Sequence, residues 1–224
     1  MLLLSGASAG AFLVGCSTDH GASAPDAPAS AESLNPDCVL TPDQAEGPFY
    51  DDLNLVRRDV TDGKPGSPLQ LDLIVIDAST CEPIPDATVD VWHADAGGLY
   101  SAFPEQGDDE DVDTSGESFL RGMQPTDAAG LATIDTIYPG WYPDRTTHIH
   151  IKVRVGDNTR VTSQLYFPDE TTESVYRTHP AYVERGSKDT PNDDDFGGTE
   201  TDLRMTVTAS GDGHVATHTI GIRR

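Results

Sequence analysis

Short runs of alternating apolar and polar residues are the feature that most constrains the fold of this chain. Residues 69–77 (LQLDLIVID) alternate at first, and residues 87–93 (ATVDVWH) alternate again after a turn rich in proline. A period of two places every second side chain on the same face, as in a half-buried β-strand. Further strands are predicted over residues 131–138, 148–155, 161–167, 203–210 and 214–222.

The connections between these runs favour an all-β fold. Gly211 and Gly213 flank Asp212 between the last two runs, which predicts a terminal hairpin. No window has a long helical period, and residues 170–184 are expected to hold only short helical turns. Many short strands with frequent turns predict a β-sandwich with long loops.

The net charge excludes one class of partner. With 38 acidic and 14 basic residues, the chain has a formal charge of −24 and a pI near 4.2. Nucleic-acid binding requires basic side chains that neutralise phosphates, so no nucleic-acid partner is expected. The acidity is interpreted mainly as a source of solubility, with repulsion of anionic substrates as a weaker alternative.

The first residues have the composition of a targeting element. Residues 1–16 contain a short apolar stretch and end in LVGC, which resembles a bacterial lipobox. We therefore expect a signal segment and a lipid on Cys16 as the only membrane attachment, on the outer face of the cytoplasmic membrane; a secreted protein is the other expectation. No Lys or Arg precedes Cys16, although signal peptides usually begin with a basic region. An ordinary apolar start with an incidental cysteine is the competing interpretation.

The composition changes twice before the predicted domain. Residues 17–36 (STDHGASAPDAPASAESLNP) are small, polar and interrupted by proline, so they predict a flexible, disordered tether. The β-sandwich is expected over residues 37–224. Cys38 and Cys81 remain as a pair if Cys16 carries a lipid, and a disulfide between them is permitted in an exported protein. Two buried free thiols are the alternative.

One segment carries an unusual set of metal-binding side chains. His148 and His150 alternate on a predicted strand, so both imidazoles would point to the same face. Tyr142 and Arg145 lie just upstream, and Tyr100 follows a glycine turn after another strand. Two imidazoles and two phenolates form a hard, anionic ligand set suited to ferric iron. Redox chemistry is therefore favoured over hydrolysis.

Four sequence blocks stand in a fixed order around these residues. They are TPDQAEGPFY (41–50), WHADAGGLYS (92–101), FLRGMQPTDAAG (119–130) and TIYPGWYPDRTTHIH (136–150). In this order the blocks resemble the intradiol ring-cleavage dioxygenases, a family that includes catechol and protocatechuate 3,4-dioxygenases. The resemblance implies a mononuclear, non-haem Fe(III) cofactor. Its protein ligands would be Tyr100, Tyr142, His148 and His150.

The same resemblance implies a reaction and roles for further residues. The substrates would be a catechol-type diol and O₂, and the product a cis,cis-muconate-type dicarboxylic acid. Tyr142 matches the ligand that leaves the metal and accepts a substrate proton. Arg145 would face the activated diol as a fixed cation, and Gln164 matches a polar residue near the same pocket. Residues that resemble the segment at the pocket mouth are Pro48, Phe49 and Tyr50.

The chain departs from the family in ways that bear on substrate and assembly. We expect only the tether to precede the domain, where catechol dioxygenases carry a helical dimerisation region. Nothing reveals the second type of subunit found in protocatechuate enzymes, and a homo-oligomer is left open. Residues 103–118 (FPEQGDDEDVDTSGES) are strongly acidic and follow Tyr100. At the pocket entrance they would repel carboxylated catechols, so a neutral catechol or a larger diphenol is expected.

Two other functions compete with a dioxygenase. A non-catalytic β-sandwich binding module of the cell envelope would share the fold, because fold alone does not determine function. A zinc hydrolase could use His148 and His150, but zinc sites rarely include two tyrosines and no further histidine or carboxylate is clearly placed. Two remaining candidates, Arg121 and His93, are interpreted as structural residues.

Overall fold

The computed structural model describes residues 38–143, 145–183 and 201–224. The predicted signal segment (1–16), Cys16 and the predicted tether (17–36) lie outside the described residues. No helix within the described ranges is long and apolar enough to cross a membrane.

Strands dominate the described residues, as the alternating runs predict. The eight strands are β1 (Pro68–Asp77), β2 (Thr88–Trp92), β3 (Arg121–Pro125), β4 (Leu131–Ile137), β5 (His148–Val155), β6 (Asn158–Tyr166), β7 (Thr206–Ser210) and β8 (Gly213–Ile222). The helix α1 spans Asp169–Thr178, and short 3₁₀ helices span Pro180–Tyr182 and Thr201–Leu203. The predicted terminal hairpin is the antiparallel pair β7–β8.

The strands form two four-stranded sheets that pack face to face. The first sheet has the order β4-β1-β8-β7 and the second has the order β3-β2-β5-β6. Alternate residues of β1, such as Leu71 and Leu73, are fully buried in one core with Ile149 and Ile151 of β5. The predicted all-β sandwich is confirmed. Because side chains alternate along β5, its other face is left to carry His148 and His150.

Three details differ from the prediction. The strand Arg121–Pro125 (RGMQP) was not predicted, because it contains glycine and no apolar alternation; its pairing with β2 places it in the sheet. The helix α1 is a regular ten-residue helix where only short turns were expected. The strand β7 begins later than predicted, at Thr206, because Thr201–Leu203 form a 3₁₀ turn.

An extended stretch, residues 42–50, lies across the outer face of the second sheet; we call it the covering segment. The backbone N–H of Gln44 donates to the carbonyl of Thr162 at 2.8 Å, and the Gln164 amide donates to the carbonyl of Ala45 at 2.9 Å. Farther along, Lys152 of β5 forms an ion pair with Glu46. The covering segment therefore closes the face of β5 that is turned away from the core.

The start of the covering segment is tied to the first sheet. Cys38 and Cys81 form a disulfide with Cα atoms 5.4 Å apart, so the alternative of two free thiols does not hold. Just after Cys38, the backbone N–H of Thr41 donates to the carbonyl of Gly221 at 2.8 Å. A disulfide is typical of oxidising compartments, which is compatible with export; export itself stays a prediction.

Removal of the disulfide is expected to destabilise the domain. The bond closes a loop of 43 residues, and loss of that constraint on the unfolded chain should lower the free energy of unfolding by about 4 kcal/mol. The measurement is urea denaturation of the Cys38→Ala/Cys81→Ala protein. Wild-type protein in reducing buffer should unfold at the same low midpoint. Equal midpoints for the oxidised wild type and the double variant would contradict the expectation.

Candidate active site

The side chains of the four predicted ligands converge beneath the covering segment. The Nε2 atoms of His148 and His150 are 3.1 Å apart, and the Tyr100 hydroxyl lies 3.3 Å from Nε2 of His148. The Tyr142 ring completes the group, with its centroid 5.5 Å from that of Tyr100 and 5.6 Å from that of His148. Ligands about 2 Å from one ion and at right angles to each other are roughly 3 Å apart, so the spacing of the Tyr100 oxygen and the two imidazole nitrogens suits one shared cation.

Sheet register fixes the two histidines. In the ladder, His150 is opposite Trp92 of β2 on one side and Gln164 of β6 on the other. The indole of Trp92 stacks on the His150 imidazole, with centroids 4.9 Å apart and an interplanar angle of 6°. Both imidazoles are buried, at 3% and 1% exposure for His148 and His150. Their orientation therefore comes from strand pairing and aromatic packing.

Burial sets the protonation state of the site. It lowers the pKa of His148 to about 3, with the nearby Arg145 cation as a second cause, and it holds the pKa of His150 well below its usual value. Both rings are therefore neutral near pH 7, which is the form that binds metals. Burial raises the pKa of the Tyr100 phenol well above its usual value. A phenolate at this position would require a cation beside it.

The donor set distinguishes between metals. Across the described ranges, no group of three or more His, Cys, Asp or Glu side chains is placed to hold a metal ion. The side chains beside the two imidazoles that could complete a site are the phenols of Tyr100 and Tyr142. Anionic oxygen donors together with imidazoles fit ferric iron better than the zinc of hydrolases, whose ligands are usually His, Cys and carboxylates. The residues fit an iron(III) ion held by Tyr100, Tyr142, His148 and His150.

The predicted catalytic side chains are in hydrogen-bonding contact with one another. One terminal nitrogen of the Arg145 guanidinium donates to the Tyr142 hydroxyl at 3.1 Å, and the other donates to Oε1 of Gln164 at 2.5 Å. Arg145 is buried, at 9% exposure, whereas Tyr142 is half-buried. Gln164 is itself held by its bond to the covering segment. The structure therefore brings these three residues together at the metal ligands; their catalytic roles stay predictions.

The predicted pocket residues have different surroundings. Phe49 stacks on Tyr100 with centroids 4.6 Å apart and meets Tyr142 edge-on at 5.9 Å, so it forms a wall of the site. Pro48 follows Gly47, where an added Cβ would lie 3.1 Å from Cε1 of His150. The turn at Gly47 and Pro48 therefore lies directly against the imidazole of His150, one of the predicted metal ligands.

The described contacts of Tyr50 do not include the donor atoms of the site. The ring of Tyr50 packs on that of Trp92 with centroids 4.7 Å apart. The Lys152 ammonium lies over the Tyr50 ring, 3.3 Å from its centroid. The Tyr50 hydroxyl contacts the carboxylate of Asp90, at 3.2 Å, and the guanidinium of Arg154. These contacts favour a structural role for Tyr50, and a role in substrate binding stays a prediction without a supporting contact.

The two residues interpreted as structural, Arg121 and His93, are buried and hydrogen-bonded. Arg121 is buried and donates to the carbonyl of Phe49 at 2.7 Å and to the hydroxyl and carbonyl of Ser101 at 2.8 and 2.7 Å. It thereby joins the covering segment to the residue after Tyr100. The His93 ring is fully buried between the carbonyl of Ala94 and the hydroxyl of Thr136, each at 2.8 Å.

Sequence reasoning missed Asp95, which connects the two tyrosine-bearing turns. Its Oδ1 accepts hydrogen bonds from the backbone N–H groups of Gly97 and Leu99 at 2.9 and 3.0 Å, which shapes the turn before Tyr100. Its carbonyl accepts from the N–H of Gly140 at 3.0 Å, two residues before Tyr142. The signal was an aspartate two residues before a glycine pair, a common sequence for a side-chain-capped turn.

Comparison with known proteins points to one family. A family model described as Dioxygenase matches residues 42–177, more than half of the chain. Catechol 1,2-dioxygenase of Acinetobacter baylyi is 27% identical over 148 residues, covering 56% of this chain and 45% of that protein. Chlorocatechol 1,2-dioxygenase of Cupriavidus pinatubonensis is 32% identical over 146 residues, covering 54% and 52%. The chain thus spans about half the length of these relatives.

Solved structures agree over a larger share of the chain. An intradiol ring-cleavage dioxygenase from Tetranychus urticae has a TM-score of 0.72 at 27% identity and covers 83% of this chain and 95% of that one. The dioxygenase domain of a carbohydrate-binding fusion protein from Streptomyces sp. SirexAA-E has a TM-score of 0.61 at 31% identity and covers 83% and 99%. With the converging ligand residues, these matches show that the chain belongs to the intradiol ring-cleavage dioxygenase family.

Proposed function

We propose that this chain is an iron(III)-dependent intradiol dioxygenase that cleaves a catechol-type diol with O₂. The observation that supports the proposal most is the convergence of two neutral imidazoles and two phenols in one buried site. A ferric ion in this site would supply a Lewis acid that makes a bound diol reactive towards O₂. A catechol and O₂ together contain the atoms of a muconate-type diacid, so no further reductant is required.

The protein side chains would bind, orient and move protons. Tyr142 is the more exposed of the two tyrosines, so its hydroxyl is the one able to take up a proton that a diol releases on binding. The Arg145 guanidinium donates a hydrogen bond to that hydroxyl, so its positive charge lies beside the place where the proton would be taken up. Gln164 fixes the guanidinium plane, and Phe49 gives an apolar wall for an aromatic ring. Preorganised charge of this kind stabilises the anionic form of a substrate.

A binding module of the cell envelope is less well supported. Such a module needs an accessible surface, whereas these polar groups are buried together and held in a single arrangement by hydrogen bonds. Burial of polar groups is costly, and its concentration at one place is typical of catalytic sites.

Replacement of Tyr142 should change both the colour and the activity of the iron-loaded protein. Tyrosinate bound to iron(III) absorbs visible light, so the purified protein should be burgundy to red-brown. In Tyr142→Phe this band should shift and turnover should fall roughly 100-fold, because a proton acceptor is lost. The measurements are the visible spectrum and O₂ uptake with catechol. Tyr138→Phe, which alters a buried tyrosine bonded to Thr172, is the control. A colourless protein with bound iron would refute the site.

Arg145→Lys should reduce turnover without removing the colour. Lysine keeps a charge but has one ammonium nitrogen in place of the planar fork whose two nitrogens reach Tyr142 and Gln164, so a bound diol would lose its oriented cation. The expected fall in kcat with catechol is on the order of 100-fold, with the visible band retained. Arg160→Lys, at an exposed position of β6, should leave both unchanged. Full turnover in Arg145→Lys would contradict the requirement for an oriented guanidinium.

The natural substrate is proposed to be an uncharged catechol or a larger diphenol. We call residues 103–118 the acidic loop; the ring of its first residue, Phe103, meets Phe49 edge-on at 5.5 Å. The acidic loop therefore begins at the aromatic wall of the site. Its exposed carboxylates belong to Glu105, Asp108, Asp109, Glu110, Asp111, Asp113 and Glu117.

The carboxylates of the acidic loop should disfavour protocatechuate relative to catechol. Salt screens the repulsion between these carboxylates and the carboxylate of protocatechuate. The ratio of kcat/KM for catechol to kcat/KM for protocatechuate should therefore decrease as ionic strength rises. Neutralising residues 108–111 to their amides should raise kcat/KM for protocatechuate several-fold and leave that for catechol unchanged. The matched control is Asp86→Asn/Asp157→Asn/Glu173→Gln/Asp212→Asn, which also removes four carboxylates at exposed positions outside the acidic loop. Faster turnover of protocatechuate than of catechol by the wild type would exclude this preference.

A further inference from the structure

The backbone of Tyr100 is held on both sides by side chains of the acidic loop. The N–H of Tyr100 donates to Oε1 of Gln106 at 3.1 Å. The carbonyl of Tyr100 lies 2.7 Å from the Thr114 hydroxyl, which also lies 2.8 Å from the carbonyl of Phe103 and can donate to one of the two at a time. Both backbone polar groups of this ligand residue are therefore bonded to one loop.

Gln106 and Thr114 differ from the rest of the acidic loop in burial. They are 4% and 2% exposed, although most of their neighbours are exposed carboxylates. A buried amide or hydroxyl is destabilising unless it is hydrogen-bonded, and both are bonded to backbone at specific atoms. Their position inside a solvated loop therefore requires an explanation beyond solubility.

The two residues also hold the loop together. Gln106 and Val112 exchange backbone hydrogen bonds at 2.8 and 3.1 Å, and the Gln106 amide donates to the carbonyl of Pro104 at 3.1 Å. The backbone N–H of Thr114 donates to the carbonyl of Phe103 at 3.0 Å. The loop is therefore a closed frame with its two buried side chains directed at Tyr100.

Tyr100 needs such a frame more than the histidine ligands do. His148 and His150 are fixed by the ladders of β5 with β2 and β6. Tyr100 lies outside every described strand, in the connection between β2 and β3, so no ladder sets its position. The aspartate-capped turn precedes Tyr100, whereas the acidic loop binds Tyr100 itself.

We infer that Gln106 and Thr114 are positioning residues that place the Tyr100 phenol for iron(III). The inference rests on the proposed function of the site. Neither side chain contacts the site of reaction, so each acts through Tyr100. The acidic loop thus combines exposed carboxylates with a buried clamp on a metal ligand.

The test compares Thr114→Val with a matched threonine elsewhere. Valine keeps the shape of threonine but cannot donate to the Tyr100 carbonyl. The affinity for iron(III) should fall roughly 10- to 100-fold, the range typical for residues that orient a ligand, and the tyrosinate band should shift. Thr114→Ser, which restores the hydroxyl, should recover the band. The readouts are competitive titration with an iron(III) chelator and the visible spectrum.

Thr126→Val is the control. Thr126 is also buried, at 3% exposure; its hydroxyl donates to the carbonyl of Ile84 at 2.7 Å and accepts from the N–H of Ala87 at 2.9 Å. The urea midpoint of Thr126→Val should fall about as much as that of Thr114→Val. Its tyrosinate band and its affinity for iron(III) should stay those of the wild type. A Thr114→Val protein that behaves in the same way would overturn the inference.

A second variant provides a readout in the metal-free protein. Gln106→Met removes the acceptor for the Tyr100 N–H at similar side-chain length, and it keeps the test open if Thr114→Val does not fold. Hydrogen exchange at the Tyr100 amide should accelerate at least about tenfold, because the N–H loses its acceptor. Unchanged exchange in Gln106→Met would overturn the inference. Absence of any band in the iron-loaded wild type would instead overturn the proposed function.

Discussion

The two-residue repeat of β5 is the constraint on which the rest of the site depends. Ile149 and Ile151 point into the core between the sheets, so His148 and His150 must point to the opposite face. A shift of register by one residue would exchange the two pairs and expose the isoleucines. The hydrophobic core therefore fixes the direction of the imidazoles, and strand pairing with β2 and β6 fixes their height along the sheet.

The outer face of a sheet is usually open to water, and here the covering segment closes it. Burial keeps both imidazoles neutral, and Phe49 of the covering segment stacks on Tyr100. The segment is held by a backbone bond from Gln44 to Thr162, and the residues just before it are tied to the first sheet by the bond from Thr41 to Gly221 and by the Cys38–Cys81 disulfide. The stability of residues 38–50 and the integrity of the site are thus linked, although Cys38 contributes no donor atom to the site.

The sequence allowed the sandwich and the pair of histidines to be predicted, because both depend on local patterns. Alternation revealed most strands, and the spacing of His148 and His150 placed them on one face. Tyr100 was a candidate donor from its residue type and turn, and the resemblance assigned it to the same ion as the histidines, because its position relative to them depends on chain segments far apart in sequence. Asp95, Gln106 and Thr114 were missed because their function lies in bonds to backbone atoms, which no local pattern encodes. The strand β3 was missed because pairing with β2, not its composition, makes it a strand.

The division of labour within the acidic loop has an evolutionary consequence. Between Gln106 and Thr114 lie seven residues, most of them exposed, and none of their side chains has a described bond to Tyr100. Substitutions there can change the charge that an incoming aromatic compound meets while the metal geometry is preserved. Related enzymes could therefore diverge in substrate preference by substitutions in this stretch alone. Gln106 and Thr114, at its ends, would be retained because they position a ligand of the iron.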